Sequence, residues 1–178
     1  PLLANNRNYR WVWGASIFSS FEEMLGFTAV TLYVLNLTGS GAALAGMWAA
    51  QTLPALLVGP ASGLIADRFN RKWIWAGAAA VVSAVYLLYA STESVAQLFV
   101  LIAIVAVAKT FSLNAFLALL PDVVREEELV DANTLLAMNF NVSLTIAPLV
   151  AGALVAASGA HTAFYLAALL RGLMVLFA

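Results

Sequence analysis

Two adjacent carboxylates, Glu22 and Glu23, sit in the middle of a run that is otherwise apolar from Trp11 to Leu35. Two cations, Lys109 and Arg171, are embedded in the same way in later apolar runs. Ionised groups in hydrocarbon are costly unless they are paired or reach water, so intramembrane charges mark a function by default. A carboxyl group held there can take up and release a proton. A lysine can surrender one, whereas an arginine stays charged. The chemistry on offer is therefore proton carriage or a fixed ion pair. Helical spacing separates the two glutamates. Ser16, Ser20, Glu23 and Phe27 share one stripe, while Ala15, Ser19, Glu22 and Gly26 share the next. This places Glu23 on a polar, cavity-facing side and Glu22 on a small-residue packing side. Glu23 is the first candidate for proton coupling, with Glu22 and Lys109 beside it. A static salt bridge to Lys109 or Arg171 is the alternative.

Other chemistries find no residues. The chain has no Cys and one His (His161), which leaves no thiolate or His-based metal site and no cofactor anchor. An intramembrane serine protease needs an embedded Ser–His pair, but His161 falls at a helix end and Gly-x-Ser-Gly is absent. No Gly-Lys-Ser/Thr phosphate loop occurs, and a net charge of −1 offers no footprint for nucleic acid. The reading is not an enzyme.

The elements that must position these charges follow from composition. Of 178 residues, 63% are apolar and 10% charged, and mean hydropathy is +0.95. A soluble domain carries about 25% charged residues, so a polytopic, all-α membrane protein remains. A crossing needs roughly 20 apolar residues. Six runs of that kind are expected at about 11–35, 42–66, 73–90, 95–120, 133–157 and 162–178, in one bundle over residues 1–178. The chain opens on Pro1 and ends at Ala178 inside an apolar run, so a fragment with a truncated sixth helix is expected. Arg7, Arg10, Arg68, Arg71, Lys72 and Arg125 all fall on one side if the chain alternates across the bilayer, and the opposite loops hold no Lys or Arg. The positive-inside rule makes that side, with the N-terminus, cytoplasmic. An inner (plasma) membrane location follows.

Three short stretches carry further signals. Gly63-Leu64-Ile65-Ala66-Asp67-Arg68-Phe69-Asn70-Arg71-Lys72 closes the second run and fills a tight turn. Gly63 is expected to let a neighbouring helix approach, Asp67 to be paired or hydrogen-bonded, and Asn70 to suit a left-handed turn. In 121–133, Pro121 is expected to end a helix. Val123, Val124, Leu129 and Val130 offer an apolar face for a short surface helix, against a plain solvated linker. Ala147-Pro148-Leu149-Val150-Ala151-Gly152 places a proline among small residues, a site for a kink and tight packing. Trp11, Trp13, Trp73 and Trp75 flank the basic loops and read as interfacial anchors.

The first stretch resembles the signature G-x-L-A-D-R-x-G-R-K/R between helices two and three of the major facilitator superfamily, with Ile65 for Leu and Asn70 for Gly. The second resembles the P-D-x-V-x-x-x-x-L-x-x-A-N pattern of the branch with enterobactin exporters and macrolide-efflux proteins. The third resembles the antiporter signature G-P-x-x-G-G, with Ala147 and Ala151 in place of glycines. The resemblance implies the N-terminal six-helix half of a twelve-helix transporter, whose C-terminal half is not in this chain. In that family Asp67 and the basic residues Arg68, Arg71 and Lys72 would belong to a cytoplasmic gating network, and an acidic residue often stands where Glu23 does. The function implied is proton-coupled efflux of amphipathic, drug- or siderophore-like small molecules by alternating access. The partners implied are the lipid bilayer, the substrate, protons and the other half. An importer of the same fold and a non-transporting helical subunit or sensor are the alternatives. Gln51, Ser112, Asn114, Asn141 and Thr145 are candidate cavity residues, with interhelical hydrogen bonding as the competing account.

Overall fold

The computed structural model describes residues 2–176 and is helical almost throughout, with no strand among the described residues. A short α1 (Leu2–Asn5) precedes six long helices: α2 (Arg7–Thr38), α3 (Gly41–Arg68), α4 (Arg71–Tyr89), α5 (Val95–Val123), α6 (Leu129–Ser158) and α7 (Ala160–Val175). A single 3-10 turn, Glu126–Glu128, links α5 to α6.

Local chemistry sets the helix ends. Asn6 caps α2 by accepting from the Tyr9 backbone N–H, and Ser40 caps α3 by accepting from Ala43. Gly39, at φ 58°, ends α2 in the left-handed conformation that a glycine adopts without steric cost. Gly159, at φ 85°, makes the sharp break between α6 and α7. Four prolines lie inside helices: Pro54 and Pro60 in α3, Pro121 in α5 and Pro148 in α6.

Three local expectations are corrected. Pro121 does not end its helix, because α5 continues to Val123 and closes on a Val124 N–H to Leu120 carbonyl bond. No surface helix forms over 121–133, since Val124 is buried and Val130 is 75% exposed, so they share no apolar face. Asn70 is not left-handed. It adopts φ −64°, ψ 112° and caps α4 through its side-chain oxygen.

By length and apolarity, four stretches suffice to cross a membrane: Gly41–Arg68, Arg71–Tyr89, Val95–Val123 and Glu126–Ser158. Ala160–Val175 is apolar but shorter, and Arg7–Thr38 is long but diluted by its polar side chains. In the bundle α2 packs on α6 and α7, α4 on α5 and α7, and α3 on α5. Fully buried alanines at 15, 79, 147, 151, 163 and 167 line these contacts. Small residues matter there because helix association in lipid rests on close van der Waals packing. The close approaches are at Gly26, against Tyr86, and Gly46, against Phe99, whereas Gly63 and Gly152 face open space. Gly63, expected to be a packing site, meets no neighbouring helix within this chain.

The two ends of the bundle are tied differently. At one end the Asn6 side chain donates to the Val123 carbonyl at 2.7 Å, and the Tyr9 hydroxyl donates to the Ala132 carbonyl at 2.8 Å. These bonds hold the start of α2 to the α5–α6 connection. At the other end the Tyr33 hydroxyl donates to the Thr92 carbonyl, and His161 Nδ1 donates to the Ala90 carbonyl at 2.7 Å.

Candidate functional site: a buried charge cluster and a basic end

Three helices converge on Glu22. Ser19 and Glu22 are three apart on α2 and share a face, as Lys109 and Ser112 do on α5. Arg171 enters from α7. Its guanidinium donates to Glu22 Oε2 at 3.3 Å, to Ser19 Oγ at 2.7 Å and to Ser112 Oγ at 2.8 Å. Lys109 Nζ lies 3.1 Å from the other carboxylate oxygen, Oε1. Glu22 is 0% exposed and Arg171 3%, while the Lys109 side chain keeps 18%. One carboxylate thus bridges two cations, one on each oxygen.

The surroundings explain how this is tolerated. A buried charge without a partner is strongly destabilising, and removing one member of a buried pair exposes that penalty. The arginine fork supplies several donors in a fixed plane, and Ser19 and Ser112 accept from its two terminal nitrogens beside the carboxylate, while the buried Nε–H finds no acceptor among the described residues. Tyr86 of α4 covers the cluster, with Lys109 Nζ 5.8 Å from its ring centroid, a cation–π distance. Gly26, one turn along α2 from Glu22, makes room for that ring, because a side chain there would overlap the Tyr86 hydroxyl.

Glu23 is exposed and forms no ion pair among the described residues. The adjacent carboxylates therefore occupy opposite environments.

The polar residues proposed for a cavity divide. Ser112 is buried and accepts from Arg171. Asn114 donates to Ser62 Oγ at 2.5 Å and to the Gly59 carbonyl, tying α5 to α3. Asn139 similarly donates to Ser16 Oγ at 2.7 Å, tying α6 to α2. Gln51 is half-buried, and Asn141 and Thr145 are exposed on α6, where Thr145 donates to the Asn141 carbonyl.

The signature stretches meet at the basic end. Arg71 pairs with Asp122, joining the start of α4 to the end of α5. Sequence reading placed both residues in motifs without pairing them. A cavity of about 630 Å³ opens beside them, lined among others by Asn8, Trp11, Asp67, Lys72 and Phe69. Asp67 and Arg68 are exposed, and Asp67 makes no ion pair among the described residues, against expectation. Its position at the end of α3 leaves it accessible to water, which removes the desolvation cost that called for a partner. Ala147 and Ala151 are fully buried on either side of Pro148, while Gly152 stands open. Of the four tryptophans read as anchors, Trp73 (77%) and Trp11 (49%) are exposed, but Trp75 is buried against Phe116 in the core. Its indole packs between helices instead.

Long apolar helices around an embedded charge cluster define a membrane protein built as a helix bundle. The family described as "Transmembrane secretion effector" matches residues 2–178, and the chain belongs to it, within the major facilitator superfamily of transporters. It is similar to the "Uncharacterized MFS-type transporter YfiS" of Bacillus subtilis (strain 168), with 29% identity over 172 residues. That match covers 93% of this chain and 40% of the relative, so the chain spans well under half of the relative's length.

Proposed function

We propose that the chain is the N-terminal six-helix half of a proton-coupled exporter of amphipathic small molecules, working by alternating access against a second half. In this reading α2 to α7 cross the plasma membrane, with the N-terminus and the basic end in the cytoplasm. The contacts of Asn6, Tyr9 and Arg71 support that orientation. They gather the N-terminus, the α3–α4 turn and the α5–α6 connection at one end, where six basic residues lie. Positive charge is retained on the cytoplasmic side.

The observation that carries the reading is the unequal pair on α2. Glu22 is clamped between Lys109 and Arg171, so α2, α5 and α7 move as one rigid body. Glu23, exposed and unpaired, is the group left to exchange a proton, and its protonation biases which way the two halves tilt about a midplane site. The Arg71–Asp122 pair, with Asp67 and Lys72 beside it, latches the cytoplasmic end in one of the two orientations. Gln51, Asn141 and Thr145 remain the cavity-lining candidates, with Ser112 and Asn114 serving the bundle's own hydrogen bonds.

The test is efflux by the full-length protein in everted vesicles under an imposed pH gradient. Glu23→Gln is expected to abolish proton-driven efflux while leaving expression intact. Glu22→Gln is expected to lower the amount of folded protein instead. Unchanged proton-driven efflux in Glu23→Gln would remove Glu23 as the carrier.

A further inference from the structure

The cluster at mid-bundle does not balance its charge. Arg171 and Lys109 share a single carboxylate, Glu22. Arg171 is permanently charged and lies 3.3 Å from one oxygen of Glu22, while Lys109 lies 3.1 Å from the other, so two cations share one negative charge. The positive charge of Lys109 is then left without a full counter-charge. The other groups around it do not supply one. Tyr86 turns its ring, not a charge, toward the ammonium, and Glu23 makes no ion pair among the described residues.

Burial singles out the same residue. Glu22 and Arg171 are sealed, while Lys109 keeps 18% of its side chain accessible. Leu113, one turn further along α5, is 57% exposed. An amphipathic molecule lying on that part of α5 would meet an apolar surface and a partly desolvated ammonium together. A lysine ammonium in such a place is a point charge that recognises carboxylates and other anionic groups.

We infer that the cargo of this transporter is an amphipathic organic anion, whose anionic group supplies the charge that Lys109 lacks. This rests on the transporter reading and narrows its substrate class. Lys109 is then a specificity-determining residue, and Arg171 and Glu22 are positioning residues that hold it.

The experiment is binding, which needs neither a proton gradient nor turnover. The full-length protein in nanodiscs is titrated calorimetrically with naphthoate, naphthamide and naphthylmethylammonium, three probes of one shape and different charge. A hydrogen bond to a charged group contributes roughly 1.5–3 kcal/mol, so naphthoate is expected to bind about tenfold to hundredfold tighter than the other two. Lys109→Gln is expected to erase that preference, and Lys109→Arg to keep most of it. Lys109→Gln leaves a balanced Glu22–Arg171 pair, and the wild-type series decides the matter even if this variant fails to fold. Equal binding of the three probes, preference for the ammonium, no binding of any probe, or a preference that survives Lys109→Gln would each overturn the inference. A failed proton-driven efflux assay with naphthoate preference intact would instead count against the coupling mechanism alone.

Discussion

Glu22 and Asp122 are both carboxylates held by a cation, yet they are placed to do different work. Glu22 is fully buried between Lys109 and Arg171, and its clamp joins three helices. Asp122 keeps 53% of its side chain exposed and Arg71 keeps 31%, and their contact joins two helix ends. Inside the bundle neither Glu22 nor Arg171 can turn to water, so their pairing is obligatory. At the basic end water competes for both groups, so the pair can open at little cost. A pair that can open and a cluster that cannot are made from the same chemistry, separated by solvent access alone.

The contrast is broken most directly at Arg171. Arg171→Met leaves Glu22 facing a single, partly exposed cation, and losing one member of a buried pair costs about 3–5 kcal/mol. A large drop in the thermal unfolding midpoint in detergent is expected, together with partial recovery when Glu22→Gln is added. The absence of that coupling in the double variant would show that the cluster does not act as a unit. Gly26→Ala comes next. Its methyl group would displace the Tyr86 ring that covers the cluster, an overpacking cost of about 1–3 kcal/mol. The same melting assay reads it, and Gly63→Ala, facing open space in the interior of α3, serves as the reference for the roughly 1 kcal/mol of helix propensity that both substitutions gain. Asn139→Leu should cost about 0.6 kcal/mol, the average for an interhelical hydrogen bond in membranes, because it removes only the bond to Ser16. Smallest of all is Arg71→Gln, expected to change stability by at most about 1 kcal/mol. That effect should fade in about 1 M salt, where the screening length is roughly 3 Å. A salt-resistant loss there would mean that the basic end is a structural core after all.

The helical architecture was legible because apolar runs bounded by Asn, Ser, Gly and basic residues leave few other options for a chain with so few charges. The separation of Glu22 from Glu23 also came from spacing alone, since adjacent residues on a helix point about 100° apart. What spacing does not contain is partnership across the chain. Arg171 meets Glu22 because α7 packs on α2, and Arg71 meets Asp122 because α4 packs on α5. Nothing in either local sequence encodes these neighbours. Trp75 and Gly63 were misplaced for a related reason. A tryptophan near a basic loop and a glycine in a helix each have two uses, and only the packed neighbour decides between them. At Pro121 the rule against helical proline was outweighed by α5 continuing for two more residues.

The separation of Glu22 and Arg171 by 149 residues also has a bearing on biogenesis. During synthesis at about 5–20 residues per second, roughly 7–30 s pass between the appearance of the acid and that of its counter-ion. Until α5 follows, the α2 segment carries a charge that its own sequence cannot neutralise. Lys109 on α5 is the first partner to follow, and Arg171 on α7 completes the cluster. Assembly of this charge cluster would then finish only when α7 docks onto α2.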